Sequence, residues 1–381
     1  MKRHAVRWLV LSGCVALCWG TGYPEPSALA QGPARTTKLL VQLPDFCPTP
    51  DGMAIDADGN LVVACPNFAD AKQPGCLIKI SRDRRVTKWV DVPPLAETGR
   101  ACPMGIAFRP DGDLYVCDNQ NWPTGNGQNG EINQGRLLRL RIRDGKVART
   151  TLVAHRISHP NGVRVHGGYV YITVSLLPKV KRTDKLLVSG VYRFRLDDQE
   201  IALANTEADK NLLVTFVTQN RDCQYGADGL AFDSRGNLFV GNFGDGALHR
   251  VTFDAQGHVA SNTVFAKTDS HTPLTDPEFA RKMVQAKMRT TDGICIDRHD
   301  NIYVADFSNN AVCKVDRRGQ ITVLAQSPDC DGSDGGLDQP GEPILWDGKL
   351  VVTCFDMVTG ADKVNTKHDR PYTIAYLDLP E

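Results

Sequence analysis

The chain has little that would commit it to a membrane, to nucleic acid or to a redox cofactor. The apolar stretch from Trp8 to Trp19 falls well short of the ~20 residues that a membrane-spanning helix needs. An excess of one charge is missing too. Lys plus Arg and Asp plus Glu number 44 each, and without residues 1–30, 41 basic residues face 43 acidic ones. Nothing in that balance draws in nucleic acid or anionic lipid. No two of the 12 cysteines form a CxxC, which removes the zinc-ribbon and thioredoxin readings, and no CxxCH offers a haem attachment. A GxSxG elbow is absent, as is a GxGxxG or phosphate loop in a strand–helix setting.

What the chain does have is a phrase written six times. The copies are DGMAIDADGNLVV from Asp51, MGIAFRPDGDLYV from Met104, NGVRVHGGYVYI from Asn161, DGLAFDSRGNLFV from Asp228, DGICIDRHDNIYV from Asp292 and EPILWDGKLVV from Glu342. Their opening residues are 53, 57, 67, 64 and 50 residues apart. Each copy is a short apolar-alternating strand, a turn and a second strand rich in β-branched and aromatic residues. Further strands follow, such as Ala311 to Val315, with Gln320 to Leu324 at an outer edge. A period near fifty with this content predicts an all-β fold, a six-bladed β-propeller of four-stranded antiparallel blades. Lys38 to Gln42 or Tyr372 to Leu377 is the candidate strand for closing the ring.

The first 30 residues read as a targeting segment. Lys2, Arg3 and Arg7 precede the apolar stretch, and Ala28-Leu29-Ala30 offers a cleavage site before Gln31, leaving 31–381 as the propeller domain. A rival reading takes Leu11-Ser12-Gly13-Cys14 as a lipoprotein box. Either way the protein is expected to be exported, to a periplasm or out of the cell. The ten cysteines beyond the segment then argue for some disulfides. Cys65 and Cys354 end the second strands of the first and last repeats, so a clasp between them is expected, with buried free thiols as the alternative. Three stretches exceed the blade template, one of them the basic, solvated Pro178 to Lys185. Asn119 to Gly135 reads as a polar loop around Trp122, and a helical insertion near 275–289 starts at Thr275-Asp276-Pro277 and is expected over one channel mouth, with ornament on the propeller rim as the alternative.

In a propeller the inner strand of each blade begins at one face of the central channel, so the openers Asp51, Met104, Asn161, Asp228, Asp292 and Glu342 should form a ring. Four carboxylates and an amide on one axis repel each other unless something neutralises them. A hard divalent cation does so through oxygen ligands alone: Ca²⁺ first, with Zn²⁺, Mn²⁺ or Mg²⁺ as other candidates. An Asp-Gly or Asn-Gly pair also makes a turn by itself. The mixture of Asp, Asn and Glu, and Pro343 after Glu342, argue against that for the whole set.

These phrases resemble the senescence marker protein/gluconolactonase (regucalcin-like) family of six-bladed propellers, over roughly Leu39 to Leu379. The resemblance implies an axial divalent metal held by a first-blade Glu, a middle-blade Asn and the next blade's Asp. Asn161 in Pro-Asn-Gly-Val resembles that family's Ser-Asn-Gly, and Asp228 in Ala-Asp-Gly-Leu its Pro-Asp-Gly. The first-blade Glu-Gly-Pro is replaced by Asp51-Gly52-Met53. Glu342, in the blade that adjoins the first, offers a substitute ligand. Met104 is a second departure, an apolar patch for the carbon face of a substrate.

The implied activity is metal-dependent hydrolysis of a lactone or related ester, a small-molecule substrate. Asp228 is the first choice for the base and Asp292 the second. His159, two residues before Asn161, is a further candidate at the substrate, as is Trp122. A competing reading is a non-catalytic, NHL-like propeller that binds carbohydrate or protein on its face, through Trp122 and the amides of its loop.

Overall fold

The computed structural model describes residues 36–120, 134–268, 287–359 and 363–379. The targeting segment with Cys14, the side chain of Trp122, and all but the edges of the polar loop and the helical insertion lie outside them. Among the described residues no helix is long and apolar enough to cross a membrane.

Strand pairing starts from the turns. In blade one, Asp56 Oδ1 accepts the N–H of Asp58 and Asn60, while Gly59 takes φ +80° to reverse the chain. Asp233 and Asp297 do the same in blades four and five, the second with Asp300 in the left-handed conformation instead of glycine. These turns follow the inner strands, which run Met53–Ile55, Pro103–Phe108, Pro160–His166, Ala227–Phe232, Ile294–Ile296 and Pro340–Trp346. Six antiparallel sheets result. Five have four strands. Blade two gains a fifth, Ile201–Ala202, which comes from the blade-three connection and pairs in parallel with Lys146–Ile157.

Both closure candidates are used. Thr373–Asp378 is the third strand of blade six, and Lys38–Gln42 pairs antiparallel with it as the outermost strand. The last blade is thus sewn from both ends of the propeller, which hides the edge that an open ring would leave.

Side chains alternate along each strand, so every blade feeds the apolar core on either side of it. Leu61, Val63 and Cys65 pack toward blade six, Val62 and Ala64 toward blade two. Six such cores, one between each pair of neighbouring blades, close the circle. Each fully buried large side chain in them contributes about 1.5–3 kcal/mol of transfer free energy.

This alternation corrects the expected clasp. Cys65 faces blade six, where its thiol lies within 4.8 Å of those of Cys47 and Cys76. In blade six Val351 is the residue that faces blade one. Cys354, three positions on and of opposite parity, points into the core shared with blade five, near Gly336 O. Cys65 and Cys354 are separate free thiols.

Candidate active site at the hub

The repeat's opening residues reach the axis because of what happens to the inner strands around them. In blades two, three, four and six the register slips across the opener, between Pro103 and Ile106, Pro160 and Val163, Ala227 and Leu230, and Pro340 and Pro343. A bulge of this kind bends the strand and re-aims the side chain it contains. In blades one and five the opener sits just before the strand and is pinned by its N–H, from Asp51 to Ala64 O at 2.9 Å and from Asp292 to Ala305 O at 3.0 Å.

The glycine after the opener has a different purpose from a turn. None of Gly52, Gly105, Gly162, Gly229 and Gly293 has positive φ. A Cβ on Gly52 would stand 2.4 Å from Met104 O, and one on Gly229 2.5 Å from Asp292 O; Gly105 and Gly162 press on the next opener's carbonyl in the same way, and Gly293 on Glu342 and Gly341 O. Glycine lets each inner strand touch its neighbour, and this narrows the hub. In the last copy the pattern shifts by one residue. Gly341, before Glu342, is the residue that approaches Asp51 Oδ1.

All six openers are between 2% and 9% exposed. Asp51, Met104, Asn161, Asp228 and Asp292 line one cavity of about 160 Å³ at the channel mouth. Its wall is aromatic. Phe243, Phe307 and Phe355 each follow the second strand of their blade, which ends at the face where the inner strand begins. Their rings stand 5.6 and 5.8 Å apart. Tyr225 continues the collar at 5.5 Å from Phe243, and Phe68 at 6.2 Å from Phe355. Cys223, Thr359 and Lys363 complete the lining.

This collar was missed in the sequence. Its signal was present in Asn-Phe-Gly-Asp, Asp-Phe-Ser-Asn and Cys-Phe-Asp-Met, at one place in three repeats.

Burial dominates the electrostatics of the hub. It pushes Asp51 well above the usual carboxylate range, with the charges of Glu342 and then Asp228 adding to it. Asp292 is raised for the same first reason, then by Asp228 and Asp51. Asp228 is pushed up to about 8 by burial, against a hydrogen bond with Asp292 that holds it down. The same contact, after burial and the charges of Asp228 and Asp51, raises Asp292.

Glu342 stands just outside the cavity lining. Its Oε1 accepts a 2.6 Å charge-assisted bond from Arg164, whose guanidinium reaches across from blade three and also donates to Ile294 O at 3.0 Å. Burial still raises Glu342, and Arg164 opposes it by charge and hydrogen bond. Arg164 was not anticipated, because it lies three residues beyond Asn161, in mid-strand. His159 sits one layer behind the wall, its ring edge-on to Tyr225 at 6.3 Å and its Nδ1 3.3 Å from Ser158 Oγ. Burial lowers it to about 4, so at neutral pH it is uncharged.

The donor set suits a hard cation: carboxylate and amide oxygens only, too buried to be ionised together without a counter-charge. Among the described residues no three hub carboxylates come within 4.8 Å of one another.

No protein-family model matches the chain, and no curated protein does. Solved structures do match. A luciferin-regenerating enzyme superposes with a TM-score of 0.57 at 12% identity, over 90% of this chain and 95% of that one. A calcium-binding regucalcin from Agrobacterium tumefaciens gives 0.54 at 14%, over 90% and 93%. A gluconolactonase from Xanthomonas campestris gives 0.51 at 16%, over 93% and 99%. At such identities the likeness is one of fold, so the chain is a six-bladed β-propeller built on the architecture of these proteins.

Proposed function

We propose that this protein is an exported, metal-dependent hydrolase that opens a lactone or related ester at the hub cavity. The observation that carries the reading is the meeting of Asp51, Asn161, Asp228 and Asp292 around one small cavity with an aromatic wall. The relatives by fold include a gluconolactonase and a calcium-binding regucalcin, which supports the same direction. The charged start, the apolar stretch and Ala28-Leu29-Ala30 support export.

Asp51, Asn161 and Asp228 hold the cation, most simply Ca²⁺. Glu342 adds negative charge from behind, with one oxygen committed to Arg164. When bound, the ion supplies positive charge for the carbonyl oxygen of the substrate as that oxygen becomes an oxyanion. Asp228 takes a proton from the attacking water as the oxygen–carbon bond forms. It returns the proton to the ring oxygen as the carbon–oxygen bond breaks. Asp292 stands in hydrogen-bond contact with Asp228 and opposes the rise of that carboxyl. Met104 and the phenylalanine collar bind the carbon face of the substrate and exclude bulk water.

The test is a panel of sugar lactones, aryl esters and phosphotriesters, assayed on chelator-stripped protein with and without Ca²⁺, Mn²⁺, Zn²⁺ or Mg²⁺. Asp228→Asn is expected to lower hydrolysis by about 10²–10⁴-fold with the fold intact. Asn161→Ala is expected to weaken cation binding in calorimetry. Full activity in Asp228→Asn, or hydrolysis indifferent to stripping and reloading, would remove the proposal.

A further inference from the structure

Blade six carries a second acidic constellation, outside the hub lining. Asp338 precedes the inner strand Pro340–Trp346, Asp356 follows the second strand Lys349–Cys354, and Asp369 precedes the third strand Thr373–Asp378. One carboxylate oxygen from each lies within 4.8 Å of the other two. Asp338 and Asp356 are 2% exposed and Asp369 is partly buried.

The scaffold fixes this meeting. Gln339 N–H donates to Asn310 Oδ1 at 3.1 Å, Gln339 O accepts Phe355 N–H at 2.9 Å, and Gln339 Oε1 accepts Met357 N–H at 2.5 Å. Residues 338 and 356 are thereby held side by side. Asp356 adopts φ +45°, in the left-handed region that aspartate tolerates better than most L-residues.

Partners around the three are unevenly shared. Asp356 Oδ1 accepts from Asn365 Nδ2 at 3.3 Å, Oδ2 accepts from Asp369 N–H at 3.1 Å, and His368 Nδ1 stands 3.3 Å from Oδ2. Asp338 is treated differently. Its Oδ1 is fully buried, and no protein donor among the described residues reaches it. A buried carboxylate oxygen without a donor is costly and rare.

The surrounding charge does not compensate. Asp329 and Asp331 act on Asp338 as further negative neighbours, while Lys367 acts on Asp369 and the His368 ring stands beside Asp356. Burial first, then Asp356 and Asp369, push the Asp338 carboxyl up to about 9. All the converging donors are oxygens, the set that calcium accepts with flexible geometry and that soft metals do not prefer.

We propose that Asp338, Asp356 and Asp369 form a divalent-cation site, taking Ca²⁺ by its chemistry, separate from the hub. The ion ties the connection before the inner strand of blade six to the segments at 356–359 and 363–369. Those segments carry Thr359 and Lys363 onto the hub cavity, so the site braces one side of its mouth.

The experiment is equilibrium dialysis of the chelator-stripped full chain against radioactive Ca²⁺, comparing wild type with Asp338→Asn, Asp369→Asn and Asp228→Asn. The first two variants are expected to lose one Ca²⁺ equivalent, or to bind it at least about tenfold more weakly. Asp228→Asn is expected to keep that equivalent, and added Ca²⁺ is expected to raise its Tm. The Tm rise should disappear in Asp228→Asn/Asp369→Asn, which separates this site from any ion at the hub. Asp369, the most exposed of the three, serves as the deciding variant if Asp338→Asn does not fold. Wild-type stoichiometry and affinity in Asp369→Asn, or no Ca²⁺ bound by Asp228→Asn, would overturn the proposal.

Discussion

Replacing Arg164 by Met should leave a buried carboxylate in the channel with its cation removed. The 2.6 Å bond to Glu342 Oε1 joins blade three to blade six, and a second bond to Ile294 O joins it to blade five. Glu342 is 9% exposed, and its charge acts on Asp51, Asp228 and Asp292. Removing one partner of such a pair costs about 3–5 kcal/mol, because the survivor keeps its desolvation penalty without its counter-charge.

The pH dependence follows from the direction of the shift. Glu342 is already raised above its unfolded value by burial, and without Arg164 it must rise further. A carboxyl raised in the folded state gives stability that is fully present below the unfolded value and lost as pH climbs through the folded one. The destabilisation of Arg164→Met should therefore be full at neutral pH and shrink toward about pH 5, near the unfolded glutamate range. Urea unfolding of chelator-treated protein at both pH values measures this, and Arg164→Met/Glu342→Gln should recover most of the loss. A loss under about 1 kcal/mol at neutral pH, the range of an exposed ion pair, would refute the reasoning. So would a loss equally large at both pH values.

Two other expectations concern the same ring. Asp51, Asp228 and Asp292 are all raised in the fold, Asp228 to about 8. The stability they lend to metal-free protein is thus greatest when they are protonated and is lost as pH rises through that range. Calorimetry of stripped protein should show a falling Tm between mildly acidic and alkaline pH, and a flat Tm would contradict the hub electrostatics. Gly229→Ala places a Cβ 2.5 Å from Asp292 O and 2.6 Å from Ile294 N, so blades four and five must part. A loss of about 1–3 kcal/mol is expected in urea unfolding. An unperturbed variant would mean that the hub is looser than its backbone distances indicate.

Several features were legible in the chain because they are local and repeated. The turn residues, the alternating apolar strands and the six openers recur at steps near fifty to sixty-seven residues, and the structure has six sheets with the openers at the start of each inner strand. The glycines were legible in position but not in purpose. A turn at Asp51-Gly52 and a close approach to Met104 O look the same in sequence, since only the neighbouring blade reveals the contact. The Cys65–Cys354 expectation failed on parity. Adjacency of two blades is readable from a repeat, whereas the face toward which a strand's last residue points depends on its register.

By itself, then, the sequence determined the number of blades, the kinds of residue that open them and the two candidate segments for closure, because periodicity and turn chemistry act over a few residues. Tertiary structure alone decided that Arg164 engages Glu342 across the channel, that three phenylalanines from separate blades become one collar, and that Asp338, Asp356 and Asp369 meet. Each of these joins residues far apart in the chain, and their chemistry is set by burial and by neighbours that only the closed ring supplies.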